Sequence, residues 1–135
     1  MSGYFDILFA GQVSAKVLKL DSPISFWGGV DQYTGVIIDH THPQQGVCVT
    51  DKVLIVPMIR GSGGTPGSLA TLLKLGKAPA ALVLNHACMN VLTAVMVGEK
   101  LYGKRCPVFL ALAEQTDNLD GTMLDIDEQG KWFTK

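Results

Sequence analysis

The sequence has few charged residues and no long apolar run. Lys, Arg, Asp and Glu make up 17% of its 135 residues, against about 25% in ordinary soluble domains. The 11 basic and 12 acidic side chains nearly cancel, which argues against a nucleic-acid partner because nucleic-acid-binding domains carry a basic face. No unbroken apolar run reaches about 18 residues, so we expect no membrane-spanning helix and no membrane partner.

Cysteine is scarce and scattered. Cys48, Cys88 and Cys106 form no CxxC pair, so this chain alone does not offer the usual ligands of a structural zinc or iron–sulfur site, and we expect no metal on it. An odd number of separated thiols is typical of reduced cysteines in the cytosol. Residues 1–6 also lack the basic start and apolar core of a secretory signal, and we therefore expect a cytoplasmic location.

Hydrophobic residues and glycine are abundant instead. The hydrophobic fraction is 47% and 15 residues are glycine, which excludes a disordered chain. The length suits a single domain over residues 1–135. An apolar excess with so little charge indicates either a large core or an apolar face that a partner covers.

The patterns predict a mixed α/β domain. Its expected strands are residues 7–10, 13–20, 35–39, 52–57, 79–84 and 107–110. We expect helices at 69–75, with Ser68 as N-cap and Gly76 as the stop, and at 89–95. The strand–helix–strand order predicts parallel pairing, in a barrel-like or two-layer sheet with helices on one side. Six acids and no bases between residues 106 and 130 predict an acidic C-terminal extension over about 114–135, either solvated or docking a basic partner.

A glycine-rich loop, residues 60–68, lies between a buried strand and a helix. Its backbone N–H groups and the helix N-terminus suit an anion, and Arg60 could clamp a carboxylate or phosphate. The spacing matches neither a Walker A loop nor GxGxxG, so a plain turn remains open. Ser62 has no acid or histidine beside it in sequence, and it could act as a base only if the loop stabilised its alkoxide.

The histidines carry weaker signals. His40 and His42 form a His-x-His pair, but two ligands do not make a metal site, and the following Pro43 indicates a turn. A hydrogen-bonding place in a cleft remains open for His42. His86 ends a predicted strand, a position compatible with a cleft or with a capping role.

Four segments together resemble the small subunit of the aconitase X family, in that family's order and over roughly residues 10–112. They are residues 23–31 (Pro-Ile-Ser-Phe-Trp-Gly-Gly-Val-Asp), 34–39 (Thr-Gly-Val-Ile-Ile-Asp) with His42-Pro43 and Gly46, 53–57 (Val-Leu-Ile-Val-Pro) running on to Arg60-Gly61-Ser62, and 78–83 (Ala-Pro-Ala-Ala-Leu-Val). The resemblance implies a swivelling β/β/α domain like the small domain of aconitase. It also implies a large partner subunit that holds an iron–sulfur cluster or iron.

The resemblance further implies a site for a small carboxylate substrate. Ser62 would be the base that removes the proton next to the carboxylate, with Arg60 as its electrostatic neighbour. The residues expected to bind substrate are Gly61, Gly63, Gly64, Ser25, Phe26, Trp27, Asp31 and His42. One departure is that Gly63 stands where many members have a second serine, in a longer loop.

The longer loop favours the hydroxyproline-type members. We therefore expect the small subunit of a dehydratase that acts on cis-3-hydroxy-L-proline, with the small subunit of a phosphomevalonate dehydratase as the alternative. A non-catalytic module that binds an anion or phosphate remains a hypothesis of another class, and a self-contained hydrolase using Ser62 is a weaker one. The apolar excess is then expected to be surface for the large subunit, with contributions from Phe26 and Trp27.

Overall fold

An eight-stranded sheet with helices against it makes up the computed structural model, which describes residues 1–61 and 64–135. The strands are β1 (Ser2–Tyr4), β2 (Asp6–Phe9), β3 (Val13–Lys19), β4 (Val53–Val56), β5 (Ala81–Leu84), β6 (Val108–Leu110), β7 (Met123–Ile126) and β8 (Lys131–Thr134). The helices are α1 (Phe26–Gly29), α2 (Thr65–Lys74) and α3 (Met89–Tyr102), with a 3-10 turn at Ala113–Thr116. This confirms the predicted mixed α/β class.

The sheet curls towards a barrel. Its strand order is β1-β8-β7-β3-β4-β5-β6-β2, with β3 to β6 parallel and the remaining pairs antiparallel. The two edge strands, β1 and β2, are separated in sequence by Phe5 alone. The opposite edges must therefore approach each other, and the Phe5 N–H donates to the Gly130 carbonyl at 2.9 Å. The predicted barrel-like sheet is confirmed.

Alternate residues of the central strands face two separate cores. Val53 and Ile55 of β4 point to the concave side, where they pack with apolar residues of the flanking strands. Leu54 and Val56 point to the other side, under helices α2 and α3. Every residue of β4 and β5 is buried, because both faces of these strands are covered. The helices lie on one side, as predicted.

Two predicted elements have different bounds. Residues 35–39 do not form a strand, because Gly35, with φ of 73°, turns the chain and leaves isolated bridges such as Val30 to Ile37. Helix α2 begins at Thr65, and Ser68 is not its N-cap, since the Ser68 N–H already donates to the Gly64 carbonyl within the first turn.

Helix α3 is longer than the predicted 89–95 and ends at Tyr102, and the φ of 66° at the following Gly103 suits a left-handed stop. Gly98 does not break this helix, because it packs directly on Leu73 of α2, and an added Cβ would lie 3.3 Å from Leu73 Cβ. No helix within the described ranges is long and apolar enough to cross a bilayer.

The acidic segment is not an extension. Residues 123–126 and 131–134 form strands β7 and β8 of the sheet, and the Trp132 ring stacks on Phe5 with centroids 5.4 Å apart. Leu124, Ile126 and Trp132 fill the barrel interior, whereas the acids occupy outward positions and turns. The predicted tail over 114–135 is therefore wrong. Polar and apolar residues alternate along these strands, so the acids on the solvent-facing side obscured the strand pattern in the sequence.

Candidate active site

The parallel strands end at one edge of the sheet, and the predicted site residues follow two of these ends. Strand β3 leads into the segment that contains α1, and β4 leads into the glycine-rich loop. Strand β5 runs on to Asn85 and His86 at the same edge. In α/β folds, ligands bind beyond the carboxyl ends of parallel strands. This edge is therefore the place to look for chemistry.

Main-chain hydrogen bonds join the α1 segment to the glycine-rich loop. The Arg60 N–H donates to the Ile24 carbonyl at 2.8 Å, and the Ile24 N–H donates to the Met58 carbonyl at 3.2 Å. Gly61 has φ of 74°, which favours glycine, and a Cβ at this position would lie 3.6 Å from Ser25 Oγ. Two segments that lie more than 30 residues apart in sequence thus form one surface.

Phe26 and Trp27 are adjacent in sequence but lie in opposite environments. Phe26 is fully buried in the core under α2 and α3, so the expectation that it forms exposed partner surface is wrong. Trp27 is 68% exposed, and its ring lies against the backbone of Gly64. Phe26 therefore supports this segment from inside, and Trp27 is on the open side.

The N-terminus of α2 lies at the end of the loop. Gly64 is its N-cap residue in a helical conformation and offers no side-chain cap. The Thr65 side chain is buried, and its Oγ1 has no hydrogen-bond partner among the described residues. The unpaired N–H groups of this first turn attract negative charge. Ser62 and Gly63, the predicted base and one predicted substrate contact, lie outside the described residues.

Arg60 presents a positive charge at the beginning of the glycine-rich loop. Its main chain is fixed by the hydrogen bond to Ile24, whereas its side chain is exposed. Within residues 1–61 and 64–135, no ion pair or hydrogen bond of its guanidinium is found. The guanidinium is thus available to a carboxylate or phosphate from outside the described structure.

Asp31 and His42 stabilise the long segment between β3 and β4. Asp31 Oδ1 accepts from the Tyr33 N–H at 2.9 Å, which makes a local turn. His42 is 5% exposed, and its Nδ1 accepts from the Gln44 N–H at 3.0 Å while Nε2 donates to the Ser22 carbonyl at 3.2 Å. Both ring nitrogens of His42 are therefore already used within the segment.

His86 has a stronger connection to the loop than its sequence position indicated. Its Nδ1 donates to the carbonyl of Pro57, which lies between β4 and the glycine-rich loop, at 3.0 Å. His86 also borders a cavity of about 480 Å³ at the ends of β5 and β6, together with Asn85, Leu112 and Gln115. The sequence signal was its position after a buried strand, but that signal does not reveal the Pro57 contact.

The described residues do not fit a metal centre. No group of three His, Cys, Asp or Glu side chains within them is close enough to hold an ion. Burial raises the pKa of the Cys106 thiol to about 12, which disfavours the thiolate that a metal binds. The Cys48 thiol contacts the Thr34 carbonyl, and Cys88 precedes α3.

Comparisons with known proteins agree with the fold. A family model described as the aconitase X swivel domain matches residues 4–134. The structure of Thermococcus kodakaraensis aconitase X in its holo form has the same fold, with a TM-score of 0.87 at 23% identity; the match covers 100% of this chain and 98% of that chain.

Two similar proteins are dehydratases or their subunits. This chain is 35% identical over 109 residues to the cis-3-hydroxy-L-proline dehydratase of Hypocrea jecorina. The match covers 81% of this chain and 18% of that enzyme. It is 42% identical over 92 residues to the phosphomevalonate dehydratase small subunit of Thermococcus sibiricus, which covers 67% of this chain and 69% of that subunit. The chain thus spans less than a fifth of the length of the first relative.

Proposed function

The chain belongs to the aconitase X swivel-domain family, and we propose that it is the small, swivelling part of a dehydratase whose large part is an aconitase X-type partner subunit. The observation that carries this proposal is the joining of two family segments, residues 23–31 and the glycine-rich loop, at the carboxyl edge of the parallel strands. The surface that they form is open, and Trp27 and Arg60 are exposed on it.

The proposed substrate is cis-3-hydroxy-L-proline. Similarity to the hydroxyproline dehydratases of Hypocrea jecorina and Pseudomonas aeruginosa extends over 81% and 83% of this chain and supports this choice. The second candidate is a phosphomevalonate dehydratase, which the 42% identity to the Thermococcus sibiricus small subunit favours. Both substrates are small hydroxy acids that carry a carboxylate, and the loop chemistry suits either.

The proposed role of this chain is proton removal. Dehydration takes a proton from one carbon and a hydroxyl group from its neighbour, which leaves a double bond and one water. Ser62 removes the proton next to the carboxylate, which requires its oxygen to be held as an alkoxide. Arg60, the loop N–H groups and the N-terminus of α2 supply the positive field that stabilises this oxygen and the substrate carboxylate.

The proposal assigns the iron or iron–sulfur centre to the large subunit. The described residues of this chain do not fit such a centre, so its chemistry forms no step of the mechanism given for this chain. In this proposal the chain binds the carboxylate and supplies the base.

Reconstitution tests the proposal. The chain is co-expressed with an aconitase X-type large subunit from the same genome, purified as a complex, and assayed with cis-3-hydroxy-L-proline and with phosphomevalonate. We expect dehydration of the first substrate, and only when both chains are present. If the complex dehydrates phosphomevalonate but not cis-3-hydroxy-L-proline, the proposed substrate is wrong and the second candidate takes its place. If a stable complex dehydrates neither, the proposed function is wrong.

A non-catalytic anion-binding module is the second candidate. The Thr65 hydroxyl at the N-terminus of α2, which has no hydrogen-bond partner among the described residues, and the exposed Arg60 at the beginning of the loop favour it. Calorimetry on the isolated chain with inorganic phosphate and with phosphomevalonate separates the two. Binding without the large subunit, lost in Arg60→Ala, would support the module; no binding would support the half-site.

A further inference from the structure

We propose that Trp27 is a positioning residue whose indole holds Gly64, the N-cap residue of α2 at the end of the glycine-rich loop, in the place that catalysis needs. The inference rests on the proposed function, since it concerns the loop that carries the base. It gives Trp27 a different role from the substrate contact that the family resemblance implies.

The contact between Trp27 and Gly64 leaves no room for a side chain at position 64. A Cβ added to Gly64 would lie 2.6 Å from Trp27 Cδ1 and 2.7 Å from Trp27 Cβ. Gly64 itself has φ of −92° and ψ of −17°, a conformation that alanine adopts without strain. The requirement for glycine at this position is therefore one of space against the indole, not of backbone conformation.

The indole is fixed from its own side as well. Phe26, the residue before Trp27, is anchored in the core, and Ser25 Oγ donates to the Trp27 carbonyl at 2.8 Å. Gly28, with φ of 78°, turns the chain immediately after it. Trp27 cannot retreat easily from Gly64, so an added methyl group at position 64 must displace the loop or the ring.

Because Trp27 is largely exposed, its replacement should affect the position of the loop more than the stability of the fold. A side chain that remains 68% exposed contributes little through burial, yet the part of it nearest the backbone is packed on the loop. Gly64 is the N-cap residue of α2, so a displaced Gly64 moves the helix N-terminus that supplies part of the positive field in the proposed mechanism. A misplacement of about 1 Å in an active site can cost about 100-fold in rate.

A double-mutant cycle in the assembled two-subunit enzyme tests this role. We expect Gly64→Ala to lower kcat by about 10- to 100-fold with little change in KM, and Trp27→Ala to lower kcat by about 10-fold. The double variant should be no slower than Trp27→Ala alone, because removal of the indole frees the space that the methyl group added at position 64 needs. Trp27→Phe keeps a ring beside Gly64 and should retain most activity.

Matched controls make the cycle specific. Gly67→Ala adds the same methyl group to the exposed side of α2, where nothing lies within 4 Å, and should lower kcat far less than Gly64→Ala. The chain has two tryptophans, so a Trp132→Phe background lets Trp27 fluorescence be followed alone. In that background Gly64→Ala should increase acrylamide quenching of Trp27, and Gly67→Ala should not.

The outcomes separate the two proposals. Independent, multiplicative losses for Gly64→Ala and Trp27→Ala, or a raised KM with unchanged kcat in Trp27→Ala, would overturn the positioning role while the dehydratase stands. If the fluorescence coupling is found but the unmodified complex dehydrates neither substrate, the proposed function fails, and the catalytic role of the Trp27–Gly64 contact fails with it.

Discussion

Phe26 gives the sharpest stability prediction, because the structure and the family resemblance disagree about its place. It is fully buried beside Ile24, Val30 and Ile37, whereas the resemblance implies a substrate contact. Replacement of a fully buried phenylalanine by alanine typically costs about 3 to 5 kcal/mol through lost burial and the cavity that remains. Whole domains are stable by about 5 to 15 kcal/mol, so Phe26→Ala should remove about a fifth or more of the total.

Urea unfolding of the purified chain, followed by far-UV circular dichroism, measures this loss. With a slope of about 2 kcal/mol per molar urea, the midpoint should fall by roughly 2 M. Phe133→Ala is the matched control, because Phe133 on β8 is already 46% exposed, and its loss should stay near or below about 1 kcal/mol. A Phe26→Ala chain that unfolds at the wild-type midpoint, while the complex shows a raised KM, would refute the buried placement.

Two further predictions concern the pH dependence of stability and the closure of the barrel. Burial raises the pKa of the Cys106 thiol from 9.0 to about 12. As the pH rises, the thiol therefore ionises in the unfolded chain before it ionises in the folded one, and the free energy of unfolding should fall between about pH 9 and pH 12. This fall should be less steep in Cys106→Ala, which lacks the thiol. Urea titrations of both chains across this range check the difference, and identical slopes would contradict it. Gly130→Ala should lower the melting temperature more than Gly121→Ala: both glycines have φ near 80°, but only at Gly130 would a Cβ meet the Phe5 carbonyl. Equal shifts of the melting temperature would show that the close approach of Gly130 to Phe5 does not contribute to stability.

The sequence predicted the central fold well, because burial on both faces leaves a clear signal. Strand β4 is apolar throughout and follows the predicted bounds closely, and β5 does the same. The acidic residues concealed β7 and β8, because antiparallel strands with one solvated face alternate polar and apolar residues. Residues 35–39 read as a strand, but the positive φ of Gly35 turns them into a packed loop.

The sequence predicted which segments form the candidate site, but not which of their residues contact one another. The family motifs brought Ser25, Trp27 and the glycine-rich loop into one hypothesis, and the Ile24–Arg60 hydrogen bond joins these segments. Sequence did not separate Phe26 from Trp27, since two adjacent aromatic residues carry the same signal whichever of them faces the core. The Trp27–Gly64 contact was equally hidden, because it joins residues 37 positions apart and leaves no periodic pattern.

The central claim is that this chain supplies the base of a two-part dehydratase, and the kcat of a Ser62→Ala complex tests it most directly. With cis-3-hydroxy-L-proline as substrate and Ser14→Ala, at an exposed serine on β3, as the control, we predict that Ser62→Ala lowers kcat by about 100- to 10,000-fold, the usual contribution of a positioned base. The complex should still assemble, and the control should stay near wild type. A Ser62→Ala complex that turns over at the wild-type rate would contradict the account.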